Sequence, residues 1–413
     1  MKKLDPRLSR YYKRNAVVLK IVRFALLLSF VIFSVYCIGY FRDTMTTDTM
    51  RYLLKHFNVF TTDTTPSDAE ISISYDDTSS FFMLYNDLAV VSNTGCELYS
   101  FSGNKLFSYD HSYSNAAFTA NGSNFLVYDT KGKELAVYTP VSNILKKTVE
   151  YDVKSAYINS LGYFSVVNSE KTYRSGVIVF SPEGNEMFRW MSPDKYVLST
   201  ALNANASLLA CASVYNKSGA FSSELIVYDV TTGEKKHSVT LNDAMAMKIG
   251  YAKNDSRIFV LTDSKYICYD KDMNLIGAAE YNKNNAKFFK EYDDCFIIAQ
   301  NNNLSGSSMT LYAYDYDGKL LFEYNTETRI TDISYRDNTL YVLSQDKLSL
   351  YDNGTNSENE KVLPKLAEQK FDKQYRTILT DEYGSYILIS AKGAKRGSLA
   401  VLLEQQLDTG INE

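Results

Sequence analysis

The feature that most constrains the fold is a strand-turn-strand unit that recurs along the chain. Its clearest copy is LYAYDYDGKLLFEYN, Leu311 to Asn325, in which Leu311 and Ala313 alternate with tyrosines ahead of an Asp-Gly pair. Alternation with a period of two is typical of a pleated strand. Aspartate bonds its own backbone and glycine accepts a positive φ, so Asp317 and Gly318 predict a two-residue hairpin turn, with Lys319 opening the partner strand.

Looser copies of this unit follow one another at intervals of about 40 residues. They are LYSFSGNKLFSYD from Leu98, VYDTKGKELAVY from Val127, VFSPEGNEMFRW from Val179, VYDVTTGEKKHSV from Val227, CYDKDMNLIGAAEY from Cys268 and LYDNGTNSE from Leu350. The copy from Val127 breaks the spacing unless it is an inner hairpin and the outer turn of its unit lies at PVSN, Pro140 to Asn143. An interval of about 40 residues is typical of the four-stranded blades of a β-propeller.

The chain beyond residue 69 divides into seven such units and a remainder. The units are 80–112, 113–151, 152–193, 194–242, 243–282, 283–326 and 327–367. From residue 368, QYRTILTD, SYILIS and SLAVLLEQ predict three strands, and EISISYD, Glu70 to Asp76, supplies a fourth. If the two chain ends share this last blade, the ring closes without an open edge. We therefore predict an all-β protein, a β-propeller of eight four-stranded blades, with seven blades as the alternative if two weak units merge.

The N-terminal region predicts one transmembrane helix ahead of the propeller. Eight basic residues and the single acidic Asp5 precede FALLLSFVIFSVYCIGYF, Phe24 to Phe41, which carries no charge. Eighteen helical residues are about 27 Å long, close to the thickness of the hydrocarbon core of a bilayer. Basic flanks stay in the cytoplasm, so we expect the propeller outside the cell. Bulky residues around Cys37 disfavour a cleaved signal peptide and a lipoprotein signal.

These observations predict five regions in the chain. They are a basic cytoplasmic tail (1–23), a transmembrane helix (24–41), a juxtamembrane helix and linker (42–69), an extracytoplasmic propeller (70–405) and a C-terminal tail (406–413). The juxtamembrane helix is predicted from Met50, Leu53, Leu54 and Phe57, which have helical i, i+3, i+4, i+7 spacing. Its apolar stripe would pack on the propeller, lie against lipid, or bind a partner.

The charge of the exposed part limits its ligands. After Arg42 the chain has 35 basic and 47 acidic residues, a formal charge of about −12. Nucleic acids and polyanionic wall polymers require a basic surface, so this charge disfavours both classes of ligand.

The four cysteines after the apolar segment are expected to be buried free thiols. Each lies in a strand-like run of a different predicted blade, and only Cys268 and Cys295 lie in neighbouring blades. The four are Cys96, Cys211, Cys268 and Cys295.

The sequence assigns no catalytic, cofactor-binding or metal-ligating residue. It has no dinucleotide-binding glycine motif, P-loop, HExxH, nucleophile-elbow or CxxC motif, and its three histidines are scattered. Asp315, Asp317 and Gly318 resemble part of a calcium loop, but turn chemistry explains them. Three aspartates follow strand-like runs in loops that could face a central channel, although aspartate also favours turns. They are Asp263, Asp346 and Asp381.

The repeated Tyr-Asp-x-x-Gly turns, as in VYDTKGK and AYDYDGK, resemble those of the quinoprotein-alcohol-dehydrogenase-like (PQQ-like) propeller superfamily, which includes periplasmic outer-membrane assembly lipoproteins. With the basic tail, the apolar helix and TDTMRYLLKHF, nearly the whole chain resembles a clostridial family of single-pass membrane-anchored propellers without an established activity. Quinone-dependent members of the superfamily use repeated tryptophan-docking motifs, whereas this chain has only Trp190. The resemblance therefore implies a fold and a location but no quinone cofactor.

We therefore expect a non-catalytic protein-interaction or scaffold module at the bacterial cell envelope. Its expected partners are the lipid bilayer, through the 24–41 helix, and an envelope or membrane protein, but not nucleic acid. The cytoplasmic tail is too short to form a folded effector domain. The alternative is an extracellular glycan- or peptide-processing enzyme, or a ligand sensor, with its site near the propeller channel.

Overall fold

The computed structural model describes two parts of the chain, 6–40 and 70–410, without 74, 77, 85–86, 101–102, 104, 140–141, 218, 355–362, 382–383 and 392. Contacts divide the chain into two units, Met1–Phe60 and Thr61–Glu413. The predicted juxtamembrane helix and linker, 42–69, lies outside the described residues.

The first unit contains one long helix, α1, from Pro6 to Tyr40. Its segment Asn15–Tyr36 has 22 residues, a mean hydropathy of 2.4 and no buried side chains. Only Lys20 and Arg23 carry charge in this segment, and such long side chains can extend their charged ends out of an apolar layer. The helix is therefore long and apolar enough to cross a membrane.

The second unit is a β-propeller of eight four-stranded antiparallel sheets, as the repeat predicts. Blades 1 to 4 are β2 (Ser80–Leu84), β3 (Asp87–Val91), β4 (Gly95–Tyr99), β5 (Lys105–Asp110); β6 (Ala116–Asn121), β7 (Asn124–Asp129), β8 (Glu134–Thr139), β9 (Ser142–Thr148); β10 (Val153–Ile158), β11 (Phe164–Asn168), β12 (Ser175–Phe180), β13 (Glu186–Ser192); and β14 (Tyr196–Leu202), β15 (Leu208–Lys217), β16 (Ala220–Asp229), β17 (Lys235–Leu241).

Blades 5 to 8 follow in chain order, and the last blade also takes a strand, β1, from the N-terminal side. They are β18 (Ala246–Ala252), β19 (Arg257–Thr262), β20 (Lys265–Asp270), β21 (Leu275–Glu280); β22 (Ala286–Glu291), β23 (Cys295–Asn301), β24 (Met309–Asp315), β25 (Leu320–Thr326); β26 (Ile330–Arg336), β27 (Thr339–Ser344), β28 (Lys347–Asp352), β29 (Lys365–Lys370); and β30 (Tyr375–Thr380), β31 (Ser385–Ser390), β32 (Ala394–Ser398), β1 (Glu70–Ile71).

Blade 8 closes the ring with strands from both ends of the propeller. Glu70 and Ile71 of β1 pair with Lys395 and Ala394 of β32. Ile71 is 3% exposed and packs in the apolar cluster that joins blade 8 to blade 1. The predicted sharing of the last blade is therefore confirmed, and the count is eight.

The prediction that SLAVLLEQ forms the third strand of blade 8 is wrong. That strand is Ala394–Ser398, and the chain then forms a helix, α2, from Leu399 to Gly410. Leu399, Leu402 and Leu403 are spaced as neighbours on one side of a helix, and all three pack in the cluster between blades 7 and 8. Burial of this apolar side explains why the segment is helical.

The antiparallel strands place the loops of every blade on two faces of the ring. One face carries the loops that join the second strand of a blade to the third and each blade to the next, and we call it the upper face. The lower face carries the loops from first to second and from third to fourth strands. First strands of neighbouring blades contact each other, as β14 does with β10 and β18, so these strands surround the axis.

Blade 2 confirms that the copy from Val127 is an inner hairpin. Its second and third strands, β7 and β8, pair from Phe125 with Tyr138 to Tyr128 with Leu135, and β8 then pairs with β9 beyond residues 140–141. The turn of VYDTKGK therefore lies on the upper face, whereas the turns of the other copies lie on the lower face.

The turn after Asp315 in blade 6 is longer than predicted. The Asp315 carboxylate accepts hydrogen bonds from the backbone N–H groups of Asp317, at 2.9 Å, and Lys319, at 2.8 Å. Gly318 has a φ of 77°, as the sequence predicts, but the partner strand begins only at Leu320. Tyr316 is 2% exposed because its ring enters the cluster between blades 5 and 6, which requires a four-residue loop.

The four propeller cysteines are buried and free, as predicted. Burial raises the pKa of Cys268 to about 11 and that of Cys295 to about 12. These thiols therefore pack as small apolar groups between strands.

Candidate binding site on the upper face

The structure does not bring together the three aspartates that were predicted near the channel. Asp263 and Asp346 lie on the upper face, in loops of blades 5 and 7, whereas Asp381 lies on the lower face, after β30. Asp263 accepts a 3.1 Å hydrogen bond from the backbone N–H of Met245, and Asp381 accepts one of 2.8 Å from that of Ser385. At least two of the three carboxylates therefore stabilise local loops, and they belong to opposite faces.

The fragment that resembles a calcium loop is held by protein groups. Asp317 forms ion pairs with Lys253 and, at 2.6 Å, with Nε of Arg257, both from blade 5. Hydrogen bonds from Lys253 and Arg257 lower the pKa of Asp317. Among the residues that the structure describes, no three His, Cys, Asp or Glu side chains cluster as metal ligands.

Blade 4 carries a hairpin that extends beyond its neighbouring strands. β15 and β16 have ten residues each, and no other described strand exceeds seven. β14 pairs no further along β15 than Val214, and β17 pairs no further along β16 than Ser223. Beyond these points β15 and β16 pair only with each other, up to Lys217 with Ala220. We call this two-stranded projection, residues 215–217 and 219–222, the tongue.

An open pocket of about 410 Å³ lies at the upper face where blades 3 and 4 meet. Its walls are the loop between β11 and β12, the loop between blades 3 and 4, and the first residues of β10 and β14. The lining residues are Lys154, Ser169, Glu170, Lys171, Thr172, Tyr173, Arg174, Pro193 and Tyr196. We call the pocket and the tongue together the upper-face site.

Strand irregularities shape the inner wall of this pocket. The pairing register shifts between Val153 and Ser155 in β10 and between Val197 and Ser199 in β14. Such bulges redirect the extra side chain and are common near functional sites. The extra residue of β10 is Lys154, which lines the pocket. The same shift recurs near the start of the first strand in blades 3 to 8.

Arginine and tyrosine form the exposed rim of the pocket. The guanidinium of Arg174 lies 5.5 Å from the centre of the Tyr196 ring, and its Nη1 donates a 3.0 Å hydrogen bond to the Tyr196 hydroxyl. Tyr196 is 44% exposed and Tyr173 is 38% exposed. Tyrosine and arginine are among the residue types enriched where proteins bind other proteins.

A partly buried ion pair connects the loop between blades 3 and 4 to the base of the tongue. Lys195 pairs with Glu224 and lies 5.5 Å from the Tyr215 ring centre, while Ser238 donates a 2.5 Å hydrogen bond to Glu224. Burial alone would raise the pKa of Glu224, but the hydrogen bonds from Lys195 and Ser238 outweigh it and lower that pKa. The pair fixes the pocket wall against the tongue.

The pocket is basic although the propeller is acidic. Three cationic side chains and one carboxylate line it, and the tongue adds Lys217. A site of this charge attracts acidic groups. The upper-face site therefore combines aromatic rings, a hydrogen-bonded guanidinium and ammonium groups around an open cavity.

The sequence predictions did not include this site. Its residues lie in a loop of ordinary polar composition, SEKTYR, and in a repeat like the others. The sequence contained one signal for the tongue: the strand-like runs on either side of NKSG, residues 216–219, are longer than those of any other repeat. The pocket itself depends on two loops that only the ring brings together.

Solved structures similar to this chain show the fold. They include the computationally designed protein Ika8 (TM-score 0.57, 11% identity), BamB from Moraxella catarrhalis (0.50, 12%) and the C-terminal WD40 domain of Sif2 (0.56, 11%). Each match covers 80% of this chain and, respectively, 100%, 98% and 97% of the other chain. At these identities the likeness concerns architecture alone, and no curated protein matches the sequence.

Sequence relatives of the chain are found at the level of a family. The family of unknown function DUF5711 matches residues 58–399, which include all eight blades and most of the chain. The chain therefore belongs to the DUF5711 family.

Proposed function

We propose that the chain is a single-pass membrane protein whose propeller lies outside the cytoplasm and binds an envelope or membrane protein without catalysing a reaction. The partner binds at the upper-face site. The observation that carries this proposal is the basic, tyrosine-rich pocket of about 410 Å³ next to a projecting hairpin, on an otherwise acidic ring. β-Propellers commonly serve as interaction modules, but the site and not the fold supports this function.

The N-terminal unit supports the proposed location. The apolar segment Asn15–Tyr36 has no buried side chain, and the residues ahead of it are strongly basic. Basic residues next to an apolar helix favour a cytoplasmic N-terminus, which would place the propeller outside. The resemblance to membrane-anchored clostridial propellers, and the PQQ-like turn sequence, support the same assignment.

Two further observations favour binding over catalysis. Of the three aspartates predicted near the channel, Asp381 lies on the face opposite Asp263 and Asp346, and Asp263 and Asp381 accept backbone hydrogen bonds. The pocket rim instead presents Tyr173, Arg174 and Tyr196, which are side chains that contribute strongly to protein recognition.

Capture of the partner from intact cells tests the proposal. Full-length protein with an affinity tag after residue 413 is crosslinked in cells, purified in detergent and analysed by mass spectrometry. We expect one envelope or membrane protein to be enriched, and Arg174→Glu to reduce it about tenfold because the substitution reverses a charge at the pocket rim. The matched control is Arg189→Glu, since Arg189 is also exposed on blade 3 but pairs with Glu186 on the outer strand. Equal capture by both variants would contradict the proposed site.

Labelling with a membrane-impermeant maleimide tests the location. In Leu275→Cys the new thiol replaces a side chain that is 64% exposed on the outer strand of blade 5. We expect labelling in intact cells. Labelling that requires cell lysis would contradict the proposed topology.

A further inference from the structure

We propose that the tongue is a strand-addition site: an extended acidic segment of the partner protein pairs with the free edge of β15 at Tyr215–Lys217 and places its carboxylates in the pocket. This inference rests on the proposed function, because it specifies how the partner of the upper-face site is bound. Addition of a strand uses backbone hydrogen bonds for affinity and side-chain pockets for specificity.

The backbone of the tongue has free edges on both sides. β14 pairs no further than Val214, and β17 pairs no further than Ser223, so residues 215–217 and 220–222 lack a strand neighbour on their outer sides. Such unpaired N–H and C=O groups form a template for another strand. In every other blade the described second and third strands have at most seven residues, so the tongue is a distinct feature of blade 4.

Asn216 provides the outward-facing backbone groups on the edge of β15. Lys217 and Ala220, which are separated by two residues in the sequence, form the last pair of the hairpin. In a two-residue hairpin the flanking pair exchanges hydrogen bonds, and the next pair directs its backbone groups outward. That next pair is Asn216 with Phe221, so Asn216 serves the β15 edge and Phe221 the opposite edge.

The β15 edge lies on the same side of blade 4 as the pocket. Leu209 and Cys211 pack in the cluster between blades 3 and 4. Tyr215 and Lys217 share their side of the strand because side chains alternate. Lys195, next to the pocket residue Tyr196, lies 5.5 Å from the Tyr215 ring centre. A peptide on this edge would therefore run past the pocket.

Charge identifies the occupant as an acidic segment of another protein and disfavours a second copy. Lys154, Lys171 and Arg174 line the pocket, and Lys217 lies at the end of the edge. Pairing of two tongues edge to edge would bring these cations together at a cost in repulsion. An extended peptide with alternating acidic and β-branched residues would instead present its carboxylates to the pocket.

Selection of peptides on the full-length protein tests this inference. Random linear octapeptides displayed on phage are panned against the protein in lipid nanodiscs, and a synthetic copy of the best binder is then titrated. We expect alternating acidic and β-forming residues, and binding that weakens with salt. Asn216→Pro removes the outward N–H of the β15 edge, and we expect a loss of about tenfold or more in affinity.

The matched control is Phe221→Pro, which makes the same change on the other edge of the same tongue. We expect this variant to bind the peptide within about twofold of the original protein. Amide hydrogen exchange provides a direct readout, because pairing should slow exchange of the outward-facing Asn216 amide and leave that of Phe221 unchanged. Equal losses in both variants, unchanged binding by Asn216→Pro, or self-association through the tongue would each overturn the inference.

The two proposals can fail separately in the cell-capture experiment. If Arg174→Glu abolishes capture and Asn216→Pro does not, the upper-face site binds the partner but strand addition is wrong. If neither variant changes capture, the proposed function at this site is also wrong.

Discussion

Replacement of Ile71 by alanine is expected to weaken the joint that closes the propeller ring. β1 has only two residues and forms only two backbone pairs with β32, so the buried Ile71 side chain is expected to contribute substantially to the closure. The side chain is 3% exposed and packs against Leu88 and Val90 of blade 1 and Ile387 of blade 8. Truncation of a buried isoleucine costs about 2–5 kcal/mol, and near-complete burial here indicates about 3 kcal/mol.

Urea denaturation of the full chain in mild detergent measures this loss. Fluorescence of Trp190 is a suitable signal, because its ring packs 5.1 Å from that of Tyr228 between blades 3 and 4, far along the ring from the closure. The control is Ser72→Ala, an exposed position next to Ile71, which should change the free energy of unfolding by less than about 0.5 kcal/mol. If Ile71→Ala also changed the free energy of unfolding by less than about 0.5 kcal/mol, the proposed contribution of the Ile71 side chain to ring closure would be refuted.

Three further predictions concern packing, pH and thiol reactivity. Gly277→Ala should lower the melting temperature clearly more than Gly393→Ala. An added Cβ at Gly277 would lie 2.3 Å from the Asp317 carbonyl oxygen, whereas at Gly393 the nearest atom, the Ile71 carbonyl oxygen, would be 3.5 Å away. The pKa of Glu224 is lower in the native protein than its ordinary value of 4.5. The ionised carboxylate therefore stabilises the fold above pH 4.5, and this stabilisation is lost as the pH falls through the native pKa. Glu224→Gln should therefore flatten the loss of stability below pH 4.5 in acid titrations followed by circular dichroism. In a Cys37→Ser background, Ellman's reagent at pH 8 should detect thiols only after unfolding, because burial and raised pKa values protect Cys96, Cys211, Cys268 and Cys295.

The sequence predicted the blades well because their pattern is local. Leu311 and Ala313 are fully buried while Tyr312 and Tyr314 are partly exposed, as alternation requires. Gly318 adopts the predicted positive φ. Recognition of a shared last blade also succeeded, since it followed from counting strands and from the need to cover an edge.

The errors arose where packing between blades overrides local preference. Tyr316 follows the alternation of its strand, yet its ring is buried against blade 5 and lengthens the turn. SLAVLLEQ has β-forming residues, but a cluster between blades 7 and 8 holds it as a helix, and the third strand is AKRGS. The strand AKRGS has few strand-forming residues and is specified by its pairing with both β31 and β1.

The upper-face site was beyond sequence reasoning for a similar reason. Tyr173 and Tyr196 are 23 positions apart, in different blades, and only closure of the ring brings their loops to one pocket. The tongue was closer to being predictable, because it results from a local excess in strand length. Its free edge, however, follows from where β14 and β17 stop pairing.

Site-specific photo-crosslinking in living cells tests the central claim most directly. A photoreactive phenylalanine derivative is placed at Tyr173 on the pocket rim and, as a control, at Leu275 on the outer strand of blade 5. Both positions are exposed, so they differ chiefly in location. If the upper-face site binds the partner, position 173 yields one crosslinked envelope or membrane protein and position 275 does not. The same product from position 275 alone, or no product from position 173, would contradict the account.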